Sequence, residues 1–193
     1  MPSRKKSLVY QLLLTPNRKR MISQVCQQHC IPKDSAVYAG LQADAGLVFR
    51  RAVGEYSQLP PSQQDDCELA VFIYACLQYR AAIRNGVVFL AATPAEDNFL
   101  SGRVEKTRNF LIHLKYHPLV RTNFLDYAWM LKVLRDGGKE AGLYICHCRL
   151  LGRTPEELAQ VCAIPLETAR YWQKLAEVAQ ARAAFDSRME DKQ

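Results

Sequence analysis

Apolar residues recur along most of this chain at helical spacing, and the interruptions fall at prolines and glycines. Thr15-Pro16 offers a capping hydroxyl ahead of a proline, which predicts a helix running to about Cys30. Ile31-Pro32 breaks it, and a second helix is expected from Asp34 and Ser35 to about Val53. Leu59-Pro60-Pro61-Ser62 reads as a linker, because two successive prolines cannot continue a helix. Residues 62–84 predict a long helix. Asp65, Asp66 and Glu68 suit its positive start, and Arg80 and Arg84 its negative end. It is apolar on most sides, so a central position is expected.

Asn85-Gly86 stops that helix. Residues 87–90 fit either a short strand or a buried connector. Thr93-Pro94-Ala95-Glu96 repeats the cap-plus-proline start with a capping-box glutamate. Helices are expected at about 102–116 and 119–135, the second closed by Asp136-Gly137-Gly138, then at about 139–151, 155–162 and 166–185. The expected fold is all-α: a multi-helix bundle with helix-turn-helix-like segments near both termini. Three parts are expected: a basic N-terminal unit over 1–58, a central helical core and oligomerisation region over 59–138, and a C-terminal unit over 139–193.

The C-terminal segment is the most informative. Thr154 and Glu157 form a capping box around Pro155. A short helix follows, then a break at Ala163-Ile164-Pro165, then a longer helix. Ala159 stands where two steeply crossing helices need a small residue. Ala163 stands in a tight turn where glycine is commonest. Leu158, Cys162, Ile164, Ala169 and Trp172 are spaced to bury one wedge, as in a helix-turn-helix. Glu167, Thr168, Arg170, Tyr171 and Lys174 then point outward, and Arg170 and Lys174 lie one turn apart, within reach of a guanine edge or a phosphate.

A related segment lies near the other end. Ile31-Pro-Lys-Asp-Ser-Ala-Val-Tyr38 matches Ile164-Pro-Leu-Glu-Thr-Ala-Arg-Tyr171 at four positions, with two conservative replacements. Each comes after a helix opening with Thr-Pro. The expected outward residues of this copy are Lys33, Ser35, Val37 and Tyr38, with Arg18, Lys19 and Arg20 available for phosphates.

Charge strengthens this picture at one end only. Residues 1–58 carry nine basic side chains against three acidic ones, which is +6 of the chain's net +7. That asymmetry suits a polyanion partner. Residues 149–182 carry five basic and four acidic side chains, a thin footprint for an isolated DNA reader. No apolar run approaches the length of a membrane span. Arg4-Lys5-Lys6 and the apolar run 8–14 imitate an export signal, but no small-residue cleavage site follows. Seven cysteines, an odd number placed inside apolar patterns, fit reduced thiols and a cytoplasmic setting.

Other constellations are weaker. His113 and His117 have zinc-ligand spacing without the metalloprotease glutamate. Cys146-His147-Cys148 is dense, yet neighbours on a helix diverge. Cys26 and Cys30 share a helical face. The aromatic group Phe110, Phe124, Tyr127 and Trp129 fits a core better than a base-stacking platform. No phosphate loop, dinucleotide fingerprint or nucleophile elbow is present, and no metal or cofactor is expected.

The C-terminal turn and its Tyr171-Trp172 pair resemble the helix-turn-helix of bacterial regulators and transposition proteins over about thirty residues. The layout is also similar to FlhC-type activators of flagellar and conjugative-transfer genes, through an N-terminal helix-turn-helix, Asn85-Gly86-Val87, and Trp129 followed by Cys146-x-Cys148. That resemblance implies zinc on four cysteines in two close pairs, of which this chain has only Cys146 and Cys148.

The function expected from these features is non-enzymatic: a transcriptional regulator binding double-stranded DNA, as a homo-oligomer or with a protein partner. Helices 34–41 and 166–177 would face DNA, and residues 62–135 would self-associate. Arg18, Lys19, Arg20, Lys33, Ser35, Tyr38, Thr168, Arg170, Tyr171 and Lys174 are the expected contacts. The competing expectations are a helical adaptor whose corners only pack, and a redox or metal protein using Cys146, His147 or Cys148.

Overall fold

The computed structural model describes residues 7–86, 108, 111–112 and 127–190, and no strand occurs among them. The helices are α1 (Leu8–Leu13), α2 (Thr15–Gln28), α3 (Ala36–Ser57), α4 (Asp66–Arg84), α5 (Tyr127–Tyr144), α6 (Pro155–Cys162) and α7 (Leu166–Glu190). The all-α bundle expected from the pattern is the observed fold. The elements expected at 87–90 and 93–96 lie outside the described residues, as do His113, His117, Phe110, Phe124, Arg4, Lys5 and Lys6; of the span 102–126 only Arg108, Leu111 and Ile112 are described, and they are helical.

α4 organises the bundle. Its residues 69–82 are all buried, including the polar Gln78 and Arg80. Asp65 caps it, its Oδ1 accepting the Cys67 and Glu68 N–H groups at 2.9 and 3.1 Å. The helix therefore begins later than Ser62, and Pro61–Gln63 form a separate 3-10 turn. Arg80 and Arg84 do more than complement the helix end: both reach Asp44 on α3, at 3.4 and 2.6 Å. Residues 69–82 of α4 are thus spent on contacts within the chain. Phe72 meets Tyr127 edge-on at 5.9 Å, which seats α5 against α4. Buried residues from both ends and the middle of the chain form one core.

Two helix ends repeat one geometry. At the close of α2, Cys30 is left-handed (φ 53°), Ile31 N–H bonds Cys26 C=O at 2.9 Å and Cys30 N–H bonds Gln27 C=O. At the close of α6, Ala163 is left-handed (φ 53°), Ile164 N–H bonds Ala159 C=O at 3.0 Å and Ala163 N–H bonds Gln160 C=O. Both are Schellman stops, each succeeded by proline. The first helix thus ends at Gln28, short of Cys30, so Cys26 and Cys30 do not share a helical face. Left-handed backbone disfavours a Cβ, so Ala163→Gly is expected to raise stability by about 1 kcal/mol in urea unfolding.

The copies differ after the stop. In the second, three residues separate α6 from α7. In the first, seven separate α2 from α3: Ser35 Oγ caps Tyr38 N–H at 3.1 Å and donates to Pro32 C=O at 2.7 Å, delaying the helix to Ala36.

α5 bends at Gly138 (φ 76°), where the sequence predicted a stop, and then passes into a π-helical turn, Ile145–Leu150. α7 runs antiparallel to α5: a Cβ at Gly137 would meet that of Ala179, and Lys132 pairs with Asp186 at 3.2 Å. Ala176, Ala179 and Ala183 bury this face, and small side chains let the helices approach closely.

Candidate nucleic-acid interface

The wedge between α6 and α7 is built from small and branched residues. Leu158 and Ala169 are fully enclosed, Ala159 nearly so, and Cys162, Ile164 and Trp172 are partly buried against the same core. Thr154 Oγ1 accepts Glu157 N–H at 3.2 Å, and Glu157 Oε2 accepts Thr154 N–H at 2.9 Å, completing the capping box. With α6 fixed at both ends and α7 leaving the turn at Leu166, the first turns of α7 present Arg170, Tyr171 and Lys174 to solvent; Tyr171 is 58% exposed. Thr168 is half-buried, its N–H bonded to Pro165 C=O.

One basic residue of α2, Arg20, comes to this same corner. Arg20 Nη2 donates to Glu157 Oε1 at 2.8 Å. That bond, and after it the Thr154 amide, holds the Glu157 carboxyl below its ordinary range. On the adjacent residue, Glu156 stands 3.8 Å from Arg170. The first turn of α6 thus lies between Arg20 of the N-terminal unit and Arg170 of α7. The Arg170 pair is more than half exposed, so it contributes little and releases Arg170 readily. Lys19 is exposed, Arg18 is half-buried, and Lys33 is exposed in the turn between α2 and α3. Ser35 is occupied as a cap, and Tyr38 and Val37 are half-buried against the core. The first copy therefore presents no outward polar face comparable to that of Arg170, Tyr171 and Lys174 on α7. No family model, curated protein or solved structure matches this chain.

A buried polar chain stitches the two units together, and no local sequence signal announces it. Arg153 Nη1 bonds His147 Nδ1 at 2.6 Å, and its Nη2 donates to Asn17 Oδ1 at 2.6 Å. Asn17 Nδ2 donates to Gln11 C=O at 2.6 Å. Burial, then the Arg153 charge, lowers the His147 pKa to about 4. The ring is therefore neutral at pH 7 and accepts from Arg153 through Nδ1. Gly152 is left-handed (φ 62°), and a Cβ there would run into the Gln24 amide of α2.

Cys146 is buried with its thiol 3.8 Å from Cys67 C=O, and Cys148 is half-buried. Burial pushes the Cys148 thiol up to about 11, so at neutral pH it is protonated and a poor nucleophile. Among the described residues, no three His, Cys, Asp or Glu side chains converge to hold a metal ion, and no helix is long and apolar enough to cross a membrane.

Proposed function

We propose that this protein is a transcriptional regulator that binds double-stranded DNA, with α7 as the recognition helix. The observation carrying this reading is the three-residue α6–α7 turn, with left-handed Ala163, buried Ala159 and Ala169, and exposed Arg170, Tyr171 and Lys174. Side chains from the start of the second helix are the ones that contact base edges in helix-turn-helix proteins. Arg170 and Lys174 take guanine edges or phosphates, and Tyr171 packs at the groove wall. Lys19 and Arg20 extend the basic surface across the start of α6. Arg18 and Lys33 contribute more distant charge, while Ser35 and Tyr38 act structurally.

Glu156, Glu157 and Glu167 temper this surface, so few phosphates are neutralised. Fluorescence anisotropy with a random-sequence duplex should show binding at low salt that weakens with a log–log slope of about −3 to −5. No binding at 20 mM salt defeats the proposal.

A further inference from the structure

We infer that two copies of this chain pair antiparallel along the outer face of the second half of α7, setting two recognition faces one DNA turn apart. Large apolar residues rarely stand in line on a free surface. Here Val178, Phe185 and Met189 are 50–64% exposed. At about 100° per residue they fall within a sector roughly 40° wide. That sector lies away from Ala176, Ala179 and Ala183, which are spent on α5. Among the described residues α7 is anchored on one side by α5, and its opposite side is bare.

Charge selects a second copy in antiparallel orientation. A parallel pair would set Lys174 against Lys174 and Arg188 against Arg188 in register along the seam. The antiparallel pair moves these like charges to opposite ends. With its axis midway between Val178 and Met189, Val178 of one copy meets Met189 of the other. The exposed Arg182 then lies over Phe185 and beside Asp186 of the second copy, twice by symmetry.

Spacing agrees independently. The cluster around Arg170, Tyr171 and Lys174 is centred about a dozen residues before that axis. At 1.5 Å per residue the two clusters stand roughly 35 Å apart, close to the 34–36 Å between successive major-groove faces of a duplex. A parallel pair would leave them side by side, unable to enter two grooves. This spacing rests on the DNA-binding reading; the pairing itself does not.

Sedimentation equilibrium of the full chain at 1–100 µM tests the pairing. Wild type is expected at twice the chain mass, and Phe185→Glu at the monomer mass with unchanged helical circular dichroism. Met189→Lys should weaken the dimer by at least tenfold and serves as the second variant. A monomeric wild type, or a Phe185→Glu chain that stays dimeric, overturns the seam. The orientation is read by electron–electron spin distances between labels at residue 174: about 30 Å supports the antiparallel pair, and under about 15 Å overturns it. A dimer with that spacing but no affinity for duplex DNA would leave the seam standing and overturn the proposed function instead.

Discussion

Replacing Arg170 and Lys174 together by alanine is expected to lower affinity for a selected duplex site by roughly 100-fold, taking each side chain at about 1–3 kcal/mol. Folding should be untouched, because both side chains are exposed and the Arg170–Glu156 pair contributes little. The loss should depend on sequence. The double variant should bind random duplex only a few-fold more weakly than wild type, since phosphate contacts carry that affinity. Lys19→Ala gives the contrasting pattern: equal weakening on selected and random DNA, with a shallower salt slope. An adaptor whose corners only pack would show neither pattern. Anisotropy titrations of the three chains on both duplexes separate the cases.

Acid should loosen the joint between the two units. The His147 pKa is about 4 in the folded chain, set by burial and by the Arg153 guanidinium at 2.6 Å, against about 6.5 when unfolded. Between those values the unfolded chain binds the extra proton. Stability from this group is therefore complete above about pH 6.5 and is lost as the pH falls toward 4, by about 3 kcal/mol. His29, also held low by burial, adds in the same direction, so the informative quantity is a difference. His147→Asn should flatten the urea-unfolding free energy between pH 6.5 and 4 by about that amount, while costing stability at pH 7. Equal slopes in the two chains would show that His147 is not the group responsible. Glu157 acts in a lower window: its carboxyl is held below the ordinary range, so its contribution disappears as it protonates.

Features fixed by neighbouring residues were legible in the sequence. The capping box at Thr154 and the turn at Ala163 each arise from a few adjacent side chains and their backbone preferences, whereas the stop expected at Gly138 is a bend within α5. The likeness of the segments after Ile31 and Ile164 also reached the structure, as two matching Schellman stops. It misled about the helix beyond the first stop, because Ser35, read as an outward contact, is drawn into capping and pushes the helix start to Ala36. Thr15 misled in a smaller way: Leu14 is the cap position, and no side-chain bond is made there. α1 was hidden because six residues are too few to show a period. Contacts across the fold were invisible. Asn17 and Arg153 are 136 residues apart, and Arg20 and Glu157 are 137 apart. Nothing in local spacing brings Arg20 of α2 to the capping glutamate of α6.

The exposure of α7 was also only partly readable. Spacing places Tyr171 outward, but the apolar residues at 178 and 185 look like core when spacing alone is considered. The structure gives the core positions to Ala176, Ala179 and Ala183 and leaves the larger side chains outside. The exposed Arg170 and Lys174 and the exposed Val178, Phe185 and Met189 thus occupy successive halves of one helix, so the proposed DNA contact and the proposed pairing would share it.

Guanine N7 lies in the major groove, so its protection from dimethyl sulfate reports directly on what α7 does. On a selected duplex, wild type should protect guanines in two groups about one helical turn apart, and Arg170→Ala with Lys174→Ala should abolish that protection at matched occupancy. Protection confined to the minor groove, or N7 protection unchanged in the double variant, would contradict the assignment of α7 as the recognition helix.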